Sequence, residues 1–303
     1  MQNKILILLV VILVPFAVIS FKKDGTNFNL QKNNNNITVR IKDVDNNKVI
    51  NIDLEDYVVG VVAAEMPASF EIEALKAQAV AARTYAYYKL TNSNKEYDLV
   101  TDVTDQSYIT NLEMKNKWGS DYPKYYEKIK SAVTATKNEI ITYNDNVILS
   151  YYFAMSNGYT EDSSLVFSEE KPYLESVASK WDNASLNNFI VEKTIEKADF
   201  CNLLEVDCQS LEITNITRSE TNRVNNITIN DKVFVGTEFR HLLGLRSTDF
   251  DITITKDNIN ITTHGYGHGV GMSQYGANGM AKDGYSYDEI LNYYYTDTTI
   301  SKI

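Results

Sequence analysis

The chain has 303 residues and a formal net charge of −11, which argues against nucleic acid or an anionic membrane surface as the main partner, and no basic block restores either. Its 44% hydrophobic content excludes a disordered protein and suffices for one large or two modest domains. Twenty-one tyrosines against two tryptophans offer rings that can stack on sugars while donating a hydrogen bond, although most are expected in cores and sheets.

Lys4 precedes an uncharged run from Ile5 to Phe21, closed by Lys22 and Lys23. Its seventeen residues are at the short end of a membrane span and longer than most signal-peptide cores, and no small-residue cleavage pattern follows. An uncleaved signal anchor over residues 1–23 is therefore favoured, with lysines on both sides leaving its orientation open. Residues 24–36, polar and Asn-rich, read as a tether.

The alternation of Ile37, Val39 and Ile41, a turn at Asp45 to Lys48, and Val49, Ile50 and Ile52 predict a β-hairpin. It leads into Tyr57 to Ala64, apolar or glycine on every side, hence a buried helix with Glu55 and Asp56 at its start. Pro67 ends that helix at or just before Met66, which leaves Glu65 in the last turn. Apolar surroundings and the negative end of the helix dipole both favour a protonated Glu65, the state of a general acid. The competing reading is a partly exposed Glu that merely ends a core helix.

A second helix follows, with Ser69 as cap and Lys89 near its end. Its six alanines (Ala74, Ala77, Ala79, Ala81, Ala82, Ala86) make it thin enough to lie close against a neighbour. Gln78 and Arg83 are its polar exceptions: either they hold a sugar or orient Glu65, or they make an ordinary hydrogen bond and salt bridge. Asp98 to Tyr108 carries three aspartates without the glycine or terminal Glu of a calcium loop, and reads as a polar capping loop. Pro123 to Ala135 reads as a helix. Ile140 to Tyr143 and Val147 to Phe153 read as a second hairpin, and Ser156 to Glu161 as a loop.

From about Leu165 to Phe250 short strands and Asn-rich turns dominate, suggesting an inserted subdomain. Cys201 and Cys208, the only cysteines, allow a local disulfide outside the cytoplasm and lack the His partners of a zinc site. Gly236 to Leu243 suits a short helix with His241 at the surface, and Ile252 to Ile261 another hairpin. His264 to Ala281, HGYGHGVGMSQYGANGMA, has glycine at every second position from Gly265 to Gly271. Either a ligand approaches that bare face while His268 projects from the other, or the glycines mark tight backbone packing and His268 is structural. Ser273 and Gln274 open a further helix, and Ser286 to Tyr294 forms the last. The pattern predicts an α+β fold: a mixed core of hairpins and helices (37–164 and 251–303), a strand-rich insert (165–250) and the N-terminal transmembrane helix.

EDYVVGVVAAEMP…LKAQAVAARTYA and GYGHGVGMSQYGANGMA, in this order, resemble the stage II sporulation protein D family, as do SYYFAMSNGYTEDS (Ser150 to Ser163) and PYLESVASKWD (Pro172 to Asp182). The resemblance spans about Ile37 to Tyr295. It implies a membrane-anchored lytic transglycosylase that cuts peptidoglycan glycan strands during engulfment in endospore formation. The bulk of the chain would lie outside the cytoplasm, between mother cell and forespore. It further implies two partners, stage II sporulation protein P (an amidase) and stage II sporulation protein M (a membrane scaffold), and no cofactor. Glu65 takes the place of the family's catalytic Glu, with His268, Ser273, Gln274, Tyr275 and Gln78 or Arg83 expected to shape the sugar groove. Some relatives carry His and Cys where Phe153 and Ser156 stand here, so no metal is expected. A wall-binding modifier of an amidase and a structural member of the engulfment complex are the alternatives.

Overall fold

The computed structural model describes residues 36–303 apart from Asp45, Val103 and Ser168; the anchor expected over residues 1–23 lies outside them. Among the described residues no helix is long and apolar enough to cross a membrane. The fold is mixed α+β. β1 (Thr38–Asp43) and β2 (Lys48–Asp53) form the expected hairpin, with Val39 opposite Ile52 and Ile41 opposite Ile50. Asp53 caps α1 (Leu54–Glu65) by accepting from the Glu55 and Asp56 amides, which leaves those two acids in the first turn. Gly60 sits under the Tyr108 ring, where a Cβ would overlap it. Met66 is extended, as a residue before proline must be, and ends the helix at Glu65.

α2 (Ile72–Asn92) starts after Glu71 rather than Ser69, without a side-chain cap, and runs past Lys89. Its six alanines are all fully buried. With so little side chain on any face, it packs against α1 and six later elements at once. β3 (Leu99–Val100) lies parallel to β1. α3 (Asn111–Trp118) was not anticipated, although Thr110 and Glu113 form a capping box at its start. α4 (Tyr122–Ala135) carries Pro123 in its first turn. β4 (Glu139–Tyr143) and β5 (Asn146–Val147) are joined through Asn144 and Asp145, both at positive φ. The second arm of this hairpin stops at Val147 instead of Phe153, because β6 (Tyr152–Phe153) pairs in parallel with Met272–Ser273. A single turn, α5 (Ser163–Val166), follows.

The strand-rich part comprises β7 (Ile190–Glu196), α6 (Lys197–Leu204), β8 (Ile213–Arg218), β9 (Val224–Ile229), β10 (Lys232–Val235), α7 (Gly236–Leu242), β11 (Phe250–Ile254) and β12 (Asn258–His264). Two three-stranded sheets, β10-β9-β8 and β11-β12-β7, enclose a core of its own, from Ile195 to Ile261. Its extent therefore differs from residues 165–250. Tyr173 and Leu174 pack in the first core, and the β11–β12 hairpin closes the second because β12 pairs with β7 along its whole length. Cys201 and Cys208 form a disulfide. The chain enters and leaves this part side by side, with Ile190 opposite His264 and the Gly265 N–H donating to the Phe189 carbonyl at 2.8 Å.

β13 (Met272–Ser273), α8 (Gln274–Lys282), α9 (Tyr287–Tyr294) and β14 (Thr299–Lys302) return to the first core, where β14 pairs with β4. The two cores meet at a polar seam. Buried Glu161 accepts from the Ser219 and Thr221 hydroxyls, Arg223 donates to the Tyr159 carbonyl at 3.0 Å, and Asn157 donates to Asp249 at 2.7 Å.

Candidate active site

Glu65 is half-buried at the C-terminal end of α1. Its Oε1 accepts from the Ser107 backbone N–H at 2.8 Å. Burial raises the pKa of the carboxyl above its usual value, and outweighs hydrogen bonds from Ser107 and Gln274 and the attraction of Lys117, which all favour the anion. Lys117 is tied beside it by donating to the Ala63 carbonyl at 2.9 Å, in the last turn of α1. Of the groups that set this shift, Ser107, Gln274 and Lys117, none is a carboxylate.

Behind the acid lies a network of side chains from distant parts of the chain. Gln274, the first residue of α8, donates Nε2 to Gln78 Oε1 at 3.3 Å and also bonds Glu65. An amide NH2 has two hydrogens, so one orientation of Gln274 serves both neighbours. Gln78 is fully buried and its Nε2 has no partner among the described residues. On the other side Tyr57 donates to Gln106 Oε1 at 3.2 Å, and Gln106 donates to Tyr152 Oη at 2.9 Å. Burial, reinforced by the Glu65 charge, pushes the Tyr152 phenol well up, so it stays protonated.

The structure thus brings Gln78 and Gln274 to Glu65 and sets other expected residues elsewhere. Arg83 grips Glu55 with two hydrogen bonds of 2.8 and 2.6 Å and donates to the Glu139 and Val133 carbonyls. Glu55 is ten residues before Glu65 on α1, or about 15 Å along the helix axis, so Arg83 stabilises the fold far from the acid. Ser273 is buried; it caps α8 by accepting from Gly276 N–H at 3.1 Å and bonds Asp182. His268 is committed to the backbone. Its Nδ1 accepts from Val270 N–H at 3.1 Å, which leaves the proton on Nε2, facing the Tyr152 carbonyl at 3.1 Å. Tyr151, Phe153 and Phe167 surround the ring, and burial lowers its pKa to about 4.

The alternating glycines also resolve toward packing. Gly265, Gly267, Gly269 and Gly271 all have positive φ, and a Cβ would strike Met155 and Ser156, Phe153, Arg223 and Tyr151 respectively. Phe153 packs against this turn and Ser156 Oγ donates to Asp182 at 2.8 Å. Tyr275 alone of the C-terminal candidates faces an open groove, with its ring edge-on to Phe70. Gln106, Ser107, Lys117 and Tyr152 were not singled out. Only the polarity of the loop containing the first two gave any sign.

An α+β protein with a half-buried carboxyl at a helix end, held by residues from distant parts of the chain, has clear relatives. Residues 42–143 match the family model described as Stage II sporulation protein. Over 264 residues the chain is 44% identical to Stage II sporulation protein D of Bacillus subtilis (strain 168), covering 85% of this chain and 77% of that one. Over 273 residues it is 40% identical to the protein of the same name in Bacillus amyloliquefaciens, covering 88% and 79%. It is also 31% identical over 299 residues to Amidase enhancer of Bacillus subtilis (strain 168), covering 80% of this chain and 40% of that one. The chain belongs to the stage II sporulation protein D family.

Proposed function

We propose that the chain is a peptidoglycan lytic transglycosylase with Glu65 as its acid and base. The observation that carries this reading is a half-buried carboxyl at a helix end, hydrogen-bonded by the Ser107 backbone N–H and with its pKa raised by burial. Hydrolytic glycosidases commonly work with a carboxylate pair. A transglycosylase needs one, because the substrate supplies its own nucleophile. Glu65 gives its proton to the glycosidic oxygen as the bond from C1 breaks. The resulting carboxylate, met by the Ser107 N–H and Gln274, takes the proton of the C6 hydroxyl while that oxygen closes on C1 to form a 1,6-anhydro ring.

In this reading residues 1–23 anchor the protein in the membrane, with the rest outside the cytoplasm between mother cell and forespore. Stage II sporulation proteins P and M are the proposed partners, by family resemblance. The relative named Amidase enhancer supports a second reading, a wall-binding protein that stimulates an amidase. Incubating the purified protein with peptidoglycan separates them: the enzyme leaves 1,6-anhydro-muramic ends, and the modifier leaves none.

A further inference from the structure

We propose that Asp182 is a positioning residue for Glu65: it anchors the first turn of α8 so that the Gln274 amide meets the carboxyl. This rests on the reading of Glu65 as the acid. Asp182 is buried, and three fully buried serines converge on it from separate segments of the chain. Ser156, just after β6, and Ser179 each donate to Asp182 Oδ2 at 2.8 Å, and Ser273, the cap of α8, bonds it as well. A hydroxyl has a single hydrogen, so each serine that gives its own to Asp182 must be held by another donor. Ser156 accepts from the Gly158 N–H at 3.0 Å, Ser273 from the Gly276 N–H at 3.1 Å, and Ser179 from the Tyr294 hydroxyl at 2.7 Å. A carboxylate only accepts, and its two oxygens have room for all three hydroxyls.

The cluster reaches the acid through the backbone of α8. Gly276 lies directly on it: a Cβ there would overlap Tyr294 Oη and Ser179 Oγ and come within 3.0 Å of Asp182 Oδ2. The first turn of α8 thus rests on the cluster at Ser273 and at Gly276, and Gln274 stands between them. The next residue, Tyr275, donates its N–H to the Ala154 carbonyl at 3.0 Å, so the loop that carries Ser156 also borders this turn. The side-chain bond from Gln274 to Gln78 is 3.3 Å long, beyond the usual N–H···O range, and does not fix the amide by itself. Where the amide points is set by where the helix begins. Without Asp182 three buried hydroxyls lose their acceptor, and they and the backbone they cap must shift to find others.

The test follows the Glu65 carboxyl resonance through a pH titration of the full-length chain. Asp182→Ala should move it to higher pH, as Gln274→Leu does, since the hydrogen bond from Gln274 favours the anion. The double variant should titrate where Gln274→Leu alone does, because Asp182 acts on Glu65 through that side chain. The sign separates this from a direct effect of charge: removing a nearby negative charge would lower the Glu65 value. The other groups that face Glu65, Lys117, Tyr57 and Tyr152, are untouched by these variants. If Asp182→Ala does not fold, the isosteric Asp182→Asn serves; its one oxygen accepts two of the three hydroxyls, so the resonance should move the same way by less. A Glu65 titration that is unmoved or lowered in the folded variant, or a double variant that titrates higher than Gln274→Leu alone, would overturn the assignment. Anhydro ends are scored separately on the unaltered protein. Their absence sinks the enzymatic reading and leaves the titration to decide on Asp182, whereas anhydro ends with an unmoved Glu65 resonance remove Asp182 alone.

Discussion

The two cores are built from different materials. The first packs alanine-rich helices so closely that polar side chains reach the main chain of a neighbour: Ser150 donates to Ala81 O at 2.8 Å, and Gln106 to Ala82 O at 3.4 Å. The second is closed by Phe200, Phe234, Phe239, Phe250 and five isoleucines between two sheets, and its buried Arg223 and Asp249 lie at the seam with the first. A polar group is tolerated in a core only where partners meet it. Thin helices with adjacent loops supply such partners, while a core of β-branched and aromatic residues supplies mainly apolar area. The proposed acid accordingly sits with the first core, where a carboxyl can be both dried and oriented.

The comparison breaks most sharply at Glu65. In Glu65→Gln the release of anhydro-sugar ends should fall by about 10²–10⁴-fold, the usual worth of a general acid, with an unchanged circular dichroism spectrum; a surviving rate would remove chemistry from the first core. Phe239, which stacks on Phe250 and meets Phe200 and Phe234 edge-on, tests the second core by subtraction. Phe239→Ala should cost about 3–5 kcal/mol in denaturant unfolding and leave the Glu65 titration where it was. The first core is tested by addition instead: Ala82→Leu, at a fully buried helix contact, should cost about 1–3 kcal/mol by overpacking.

The subtlest test is electrostatic. Gln274→Leu removes a donor to the Glu65 carboxylate, so the carboxyl resonance should titrate at still higher pH. Because the folded-state pKa is raised by burial, folding favours the protonated form. The associated stability is present at low pH and declines as pH rises through the folded value. Activity should fall along the same limb, and in Gln274→Leu both declines should move to higher pH. A resonance that moves the other way would mean that Gln274 does not face the carboxylate.

What the sequence disclosed follows from local rules. Pro67 placed Glu65 at a helix end, glycine and valine on every side of α1 announced burial, and alternation found the hairpins β1–β2 and β11–β12. What it withheld depends on long-range pairing. Tyr152 reaches the site because two residues of β6 pair in parallel with Met272–Ser273, 120 residues later, and so short a ladder leaves no periodic trace. Ser107 and Gln106 come from an aperiodic loop. Arg83 was rightly marked as an exceptional charge in a buried helix, yet its partner proved to be Glu55 because α1 and α2 lie side by side. The glycine alternation was legible as a need for bare backbone, although its close neighbours turned out to be this chain's own atoms.

The pairing of Ile190 with His264 has a consequence for how the protein can change. A segment whose two ends emerge as neighbouring antiparallel strands imposes no strain on the body that carries it, whatever its length, since the entropy of closing a loop grows only slowly with residue number. The first core therefore offers a socket. Residues 190–264 could be exchanged for another module, or shortened to a tight turn, while α1, α2 and α8 keep their places around Glu65. The cost would fall on the seam, where Glu161 would trade the Ser219 and Thr221 hydroxyls for water, a replacement that a carboxylate accepts readily once solvent can reach it.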